Sequence, residues 1–487
     1  MSLFGTAGIR GSVEERVTTE LALAVGQAVA AEIREGDATV EDDDTDPPDD
    51  DDTDQPEVVV ARDGRTTGPA LAAAMEAGLA SGGAAVLRAG RLPTPGLAYA
   101  SRGRYGVMLT ASHNPPSDNG IKLFRDGVEF GDDLEAAIET RVADGAAATR
   151  WDQWTESNTV DSLDRYLDAV TAYATDFGTD LDGLRIAVDC GNGMAAPATP
   201  AVLRELGATV VTLNGNVDGH FPGRGSKPTP ETLRDLRSFI ADANAGADDA
   251  SPNDGDGFAF GIGHDGDADR IVVVDAAGEV VHEDTVLAIL AERYTRESDA
   301  VDPVVVTTPN ASGRIDERVR EAGGRVERVR LGALHEGIAS VRSAATPGSD
   351  TSVAFAAEPW KHIHTSFGGW IDGVCSAAVI ARLVADEGLD ALREPVSERP
   401  YRKESIDCPD EAKEPTMRRL ETALPDAFPD ATVDTDHGVR LEFPDASWAL
   451  VRPSGTEAYV RVYAESDDVD ELVDDVRTVV ETAVDDA

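Results

Sequence analysis

Three times along the chain a short run of β-formers leads into a helix-like stretch and then into a second run of β-formers, which restricts the fold to α/β architectures. The first set is EVVVAR from Glu57, then GPALAAAMEAGLASGG from Gly68, whose closing glycine pair stops a helix, then AAVLRAG. The second is LRIAVDC from Leu184, PAVLRELGA from Pro200 and TVVTLN from Thr209. The third is PVVVTT from Pro303, IDERVREAGG from Ile315 and RVERVRL from Arg325. After about Glu394 the pattern becomes a helix TMRRLETAL, strands around VRLEFP, SWALVRP and AYVRVYAE, and a closing amphipathic helix DVDELVDDVRTVVETAV. That segment reads as a smaller α+β domain. At roughly 100 to 200 residues per domain, 487 residues fit three related α/β domains and this fourth one. The expected boundaries are 1–150, 151–284, 285–394 and 395–487.

Charge excludes some partners. With 92 acidic against 43 basic residues the net charge is −49, which repels nucleic acid and anionic membrane alike. The acid is spread along the whole chain, and Asp largely replaces Lys. This suits a solvated surface adapted to molar salt, as in salt-loving archaea, better than a cation buffer or a site for a basic partner. Two low-complexity acidic stretches, Glu41–Pro56 and Ala247–Gly257, are expected to be surface loops without a packed core. No run approaches the roughly 18 to 20 apolar residues of a membrane helix. The opening MSLFGTAGIRG has neither a basic n-region nor an apolar h-region, so the expectation is a cytoplasmic protein. Cys190, Cys375 and Cys408 are scattered and odd in number, as reduced structural thiols would be.

Three clusters can carry chemistry. In GVMLTASHNPPSDNGIKLF an apolar strand runs into a polar loop with Ser112 at its tip and returns as a strand. A serine hydroxyl needs a base, a metal or prior phosphorylation to act as a nucleophile. No GxSxG elbow surrounds it, and an ordinary Asn-Pro turn is the competing reading. In GIGHDGDADRIVVVD, Asp265, Asp267 and Asp269 alternate between two apolar strands; an extended loop would point all three the same way, which calls for a cation. Oxygen ligands select Mg²⁺ or Ca²⁺, and the spacing is not that of an EF-hand; a solvated acidic turn is the alternative. In VRPSGTEAYVRVYAE, Arg452 beside Ser454, Gly455 and Thr456 suits a phosphate, or is a plain β-turn. Gly261, Gly263 and Gly266, and likewise Gly191, Gly193 and Ala196, match dinucleotide-binding spacings. The first set meets carboxylates and the second lacks an acidic ribose partner, so both read as tight turns.

Together TASHNP, DGDADR and RPSGTE, in this order, resemble the α-D-phosphohexomutase superfamily, and FGTAGIRG, RDGRTTGP and VDCGNGMAA extend the likeness over nearly the whole chain. The resemblance implies four domains around a central cleft. It implies an isomerase that moves phosphate within a sugar phosphate, glucose or mannose first, through a phosphoserine and a sugar bisphosphate that also serves as activator. By resemblance Ser112 carries the phosphate, and it shares one Mg²⁺ with Asp265, Asp267 and Asp269. Lys122 is the implied general acid/base, with Arg10 as an electrostatic stabiliser and His113 beside the serine. Arg270 closes the metal loop, while Arg452, Ser454, Gly455 and Thr456 hold the non-transferring phosphate.

The sugar-reading loop departs from the family's GExSGH pattern. It reads EPWKH, keeping Glu358 and His362 at the outer positions but placing Trp360 and Lys361 between them. Trp360 either offers a ring face to the sugar or packs against Trp370. Glucosamine and pentose phosphates are therefore alternative substrates. A sugar-phosphate binder without activity is the reading from another class, with a phosphatase or kinase as a third. A monomer or dimer with no nucleic-acid or membrane partner is expected.

Overall fold

The computed structural model describes residues 3–5, 8–37, 56–245, 257–345, 350–454 and 458–487. All of Glu41–Pro56 except Pro56, and all of Ala247–Gly257 except Gly257, lie outside the described residues. The fold is mixed α/β, with four sheets among the described residues, and divides into two compact units. One is Met1–Val281 with Trp360–Leu389; the other is His282–Pro359 with Asp390–Ala487.

The first unit holds two sheets that repeat one device. In the larger sheet the strands Ser157–Thr159, Ala85–Arg91, Glu57–Arg62 and Tyr105–Leu109 run parallel, and Asp118–Arg125 returns antiparallel to Tyr105–Leu109. Ile9–Ser12 pairs antiparallel outside it, placing Arg10 opposite Gly120. Val58, Val59 and Val60 are all buried, as a parallel strand covered on both faces requires. The helix Gly68–Gly82 has a proline in its first turn and stops at Gly83, whose left-handed φ of 92° lets its N–H donate to the Ala80 carbonyl. In the smaller sheet Thr209–Leu213, Arg185–Asp189 and Phe260–His264 run parallel, and Ile271–Val274 returns antiparallel. Each sheet thus ends a parallel strand in a loop that folds straight back: residues 110–117 in one, residues 265–270 in the other.

Gly261 and Gly263 are not in a turn. They lie inside the strand Phe260–His264, where a Cβ would meet Ile240 Cδ1 at 2.3 Å and Leu233 Cδ2 at 2.6 Å, so they let the helix Arg234–Ala245 and the residues before it close on the sheet. The three cysteines are buried and free.

In the second unit Asp302–Thr307 pairs in parallel with Arg325–Arg328 and Thr351–Glu358. The five-stranded sheet is antiparallel, in the order Tyr401–Asp407, Tyr459–Glu465, Trp448–Pro453, Val439–Glu442, Thr432–Asp434. The closing helix Val469–Asp485 buries Val473, Val476 and Val480 against it, an i, i+3, i+7 stripe. A second helix spans Asp410–Ala427, beginning well before the expected Thr416: Asp410 and Glu411 favour the N-terminal end of the helix dipole, and Pro415 is accommodated inside. The strand Tyr401–Asp407 escapes a sequence reading because its mostly polar residues have no apolar alternation.

Candidate active site

Ser112 sits at the start of the first fold-back loop, fully buried, with a left-handed φ of 48° that a non-glycine residue seldom adopts. Its Oγ donates to Asp265 Oδ2 at 2.7 Å, its backbone N–H donates to Thr110 Oγ1 at 2.9 Å, and His113 Nδ1 lies 3.4 Å from the same Oγ. The serine loop and the metal loop therefore meet through Ser112 Oγ on Asp265 and, more loosely, through Thr110 Oγ1 at 3.3 Å from Asp267 Oδ2. Gly266 makes the approach possible, because a Cβ there would lie 2.6 Å from the Ser112 carbonyl oxygen.

Asp265, Asp267 and Asp269 are all buried and bring three carboxylate oxygens within 4.8 Å of one another. They do so through a turn with Ala268 at φ 61°, not along the extended alternation expected. Asp267 Oδ2 accepts from Thr94 Oγ1 at 2.7 Å, whereas Asp267 Oδ1 and Asp269 Oδ1 are buried with no hydrogen-bond donor. Two orphaned carboxylate oxygens beside a third carboxylate fit a hard divalent cation, since burial without one is costly. Electrostatics within the triad is uneven. Burial, then Asp269 and Asp267, push the Asp265 carboxyl well above its ordinary range. Burial acts the same way on Asp269 but is outweighed by Lys122 and Arg270, which hold it well below.

Cations surround the triad. Lys122 Nζ donates to Glu129 at 2.9 Å and to Asp269 at 3.3 Å; burial alone would favour the neutral amine, but these carboxylates outweigh it and push the ammonium's pKa up. Arg270 Nε lies 3.8 Å from both Asp265 and Asp269. Arg10 has its Nε buried with no hydrogen-bond acceptor. Burial, helped by Arg270 and Arg10, pulls the His113 imidazole down to about 3, so it is neutral.

The other expected residues are placed as follows. Arg452 donates to Tyr463 Oη at 3.0 Å and lies over its ring, and the Ser454 N–H donates to the Tyr459 carbonyl at 3.0 Å, both in the second unit; Gly455 and Thr456 lie outside the described residues. Glu358 accepts from the Gly332 N–H at 2.6 Å. His362 is buried in the first unit, 3.0 Å from Ser376 Oγ, and burial lowers its pKa to about 3. Trp360 does not pack on Trp370. It packs at the margin of the cluster around Ala187, Leu236, Ile240 and Val272, whereas Trp370 sits against Tyr99 and Phe367. The turn at Trp360, φ 69°, sends the two rings to different cores.

Sequence reasoning missed Asp63, Arg65, Thr94 and Glu129. Asp63 and Arg65 had a signal, an Asp-x-Arg at the end of the strand Glu57–Arg62.

Models of phosphoglucomutase/phosphomannomutase domains match the chain three times: alpha/beta/alpha domain I over residues 1–149, alpha/beta/alpha domain II over 164–278 and the C-terminal domain over 407–482. The chain belongs to this family. It is similar to a phosphopentomutase of Thermococcus kodakarensis, 39% identical over 477 residues that cover 96% of this chain and 94% of the relative. It is equally similar to a probable phosphoglucosamine mutase of Methanopyrus kandleri, 39% identical over 98% of each chain. Among solved structures, a phosphoglucomutase/phosphomannomutase family protein from Burkholderia thailandensis shares the fold, with a TM-score of 0.78 at 24% identity over 99% of this chain and 97% of that one. The resemblance to the α-D-phosphohexomutase superfamily holds, and the mutase is an isomerase of carbohydrate metabolism that transfers phosphate within a sugar phosphate. The family is metal-dependent, and the aspartate triad is the group of metal-ligating side chains found among the described residues. No helix among them is long and apolar enough to cross a membrane.

Proposed function

We propose that Ser112 carries the phosphoryl group, that Asp265, Asp267 and Asp269 hold one Mg²⁺, and that the enzyme converts a sugar 1-phosphate into the phosphate at the sugar's terminal hydroxyl and back. The observation that carries this is the 2.7 Å contact of Ser112 Oγ with Asp265 inside a buried triad that retains two unpartnered carboxylate oxygens. Glucosamine and pentose phosphates, named in the two relatives at 39% identity, stand ahead of glucose and mannose phosphates as substrates.

In the forward step the Oγ–P bond of phosphoserine breaks as a sugar hydroxyl oxygen bonds to phosphorus, and the hydroxyl proton passes by way of the phosphoryl oxygens to the departing Ser112 Oγ, which regenerates the serine hydroxyl. The resulting bisphosphate turns over, and its other phosphate returns to Ser112. When bound, the metal supplies charge neutralisation to the phosphoryl oxygens. Lys122, paired with Glu129 and Asp269, acts as a fixed cation on the transferring oxygens more than as the general acid/base first expected. Arg10 and Arg270 add positive charge on the same side, and neutral His113 packs next to Oγ without competing for the phosphate's charge. Arg452 and Ser454, with Gly455 and Thr456, would hold the phosphate that is not transferring, and Glu358 and His362 would serve the sugar. We further read the chain as four domains with the boundaries given above, and as a cytoplasmic monomer or dimer suited to molar salt. The net charge of −49 supports the last point.

Purified protein in molar KCl with Mg²⁺ and a trace of the matching sugar bisphosphate, offered glucose, mannose, glucosamine and ribose 1-phosphates separately and followed by phosphorus NMR, tests this. Conversion of one sugar is expected, with Ser112→Ala slower by at least about 10⁴-fold. Tight binding of a sugar phosphate without turnover would overturn the reading in favour of a non-catalytic binder.

A further inference from the structure

We infer that Arg65 is a positioning residue for phosphoryl transfer: it gathers the backbone of the serine loop onto one buried guanidinium and so fixes Ser112 against the metal loop. This rests on the reading of Ser112 as the phosphate carrier.

Arg65 is fully buried and uses all five of its N–H donors. Nε donates to Asp63 Oδ2 at 3.0 Å. One terminal nitrogen donates to the carbonyls of Pro115 at 2.6 Å and Asp118 at 2.9 Å, and the other to those of Ser112 and Asn114, both at 2.9 Å. Four carbonyls spread from Ser112 to the start of the return strand thus converge on one planar group. A lysine could not replace it, having three donors and no fork. The need for such an anchor is visible in the loop itself: Ser112 sits at φ 48°, a conformation that persists only where the surroundings over-determine it.

The anchor is held in turn. Asp63 accepts from Arg65 through both its Nε and its backbone N–H, the latter at 2.9 Å, and from Thr110 Oγ1 at 2.8 Å; the same Thr110 oxygen receives the Ser112 N–H. Phe221 lies over the guanidinium at 5.2 Å, and Gly219 packs so closely that a Cβ would come 2.6 Å from Arg65 Cα. Ser226 Oγ donates to the Asn114 carbonyl at 3.0 Å, adding a second hold on the loop. Thr110 Oγ1 also lies 3.3 Å from Asp267 Oδ2, and none of these groups adds a carboxylate to the triad. They act by fixing where Oγ sits relative to Asp265.

The test is Arg65→Lys, with Ser112→Ala beside it, in molar KCl with Mg²⁺. Steady-state kcat and KM are measured, together with the single-turnover rate at which pre-formed phosphoserine loses its phosphate to added sugar phosphate; thermal unfolding identifies folded protein. Misplacement of the nucleophile by about 1 Å predicts that kcat and the single-turnover rate both fall by about 100-fold. KM should stay within about twofold; a merely smaller folded fraction would lower kcat and the single-turnover amplitude but leave the single-turnover rate constant at its wild-type value. Folded Arg65→Lys with a wild-type single-turnover rate, or a loss expressed in KM alone, overturns the inference while an inactive Ser112→Ala leaves the phosphoserine reading intact. Turnover by Ser112→Ala overturns both. If Arg65→Lys does not fold, Asp63→Asn, which loosens the hold on Nε and on Thr110 Oγ1 while leaving the guanidinium's four carbonyl contacts, carries the same test with an expected fall of about 10-fold and the same criteria.

Discussion

The serine loop and the metal loop are built on one plan and stabilised in different ways. Each follows a parallel strand, returns antiparallel, and is gripped by a buried arginine from another segment whose Nε is neutralised by an aspartate: Arg65 with Asp63, Arg224 with Asp189. Arg65 spends four donors on carbonyls, three in the loop it holds and one on Asp118 at the start of the return strand. Arg224 reaches the metal loop only at its entrance, the His264 carbonyl at 2.6 Å, and gives its other bonds to Asp189 and Gly225. The serine loop carries no uncompensated charge of its own, so backbone hydrogen bonds can complete it. The metal loop carries three carboxylates, and no set of carbonyl contacts relieves their repulsion. One half of the site is finished by the protein; the other is left for a cation.

The comparison breaks most visibly if both arginines prove equally dispensable. Replacing either by Met leaves a buried carboxylate unpaired and should cost about 3–5 kcal/mol. Arg65→Met lies at the upper end because four carbonyls, from Ser112 to Asp118, lose their donor as well, which denaturant unfolding of the two variants in KCl would resolve.

A somewhat smaller effect sharpens the serine-loop side. Burial pushes the Asp63 carboxyl up to about 6, against the pull of Arg65. A carboxyl with a raised folded-state pKa contributes stability that is complete below the unfolded value of about 4 and lost as pH rises through about 6. Metal-free wild type should therefore lose about 3 kcal/mol relative to Asp63→Asn between pH 4 and pH 7. Parallel stability profiles for the two proteins would contradict the assignment.

The smallest effect belongs to the metal loop and has the opposite sign for removing an acid. In metal-free protein Asp265→Asn relieves repulsion and should raise Tm by about 2 °C, the equivalent of about 1 kcal/mol. The same variant should lose most of the Tm increase that Mg²⁺ gives wild type. A lower Tm without metal would mean that Asp265 serves the fold and not the ion.

How much of this was legible depends on the range of the interactions. EVVVAR, LRIAVDC and PVVVTT declare strands because β-branched runs need only their neighbours, and Ser112 with the three aspartates declares a site because the relevant groups are crowded within a few residues. Gly261 and Gly263 were misread as turn residues because their meaning lies in a helix packed on the sheet. Trp360 and Trp370 are ten residues apart in sequence yet join separate cores, because a left-handed turn at Trp360 redirects the chain. Arg65 was given no role of its own, because the carbonyls it holds lie 47 to 53 residues away.

The sequence by itself determined the α/β alternation and singled out the candidate nucleophile and the candidate ligand set, since each is written in short-range pattern and residue chemistry. Only the tertiary structure decided how the two loops meet, which carboxylates remain unpartnered and which arginine holds the serine, because burial and hydrogen-bond geometry exist only once distant segments have packed.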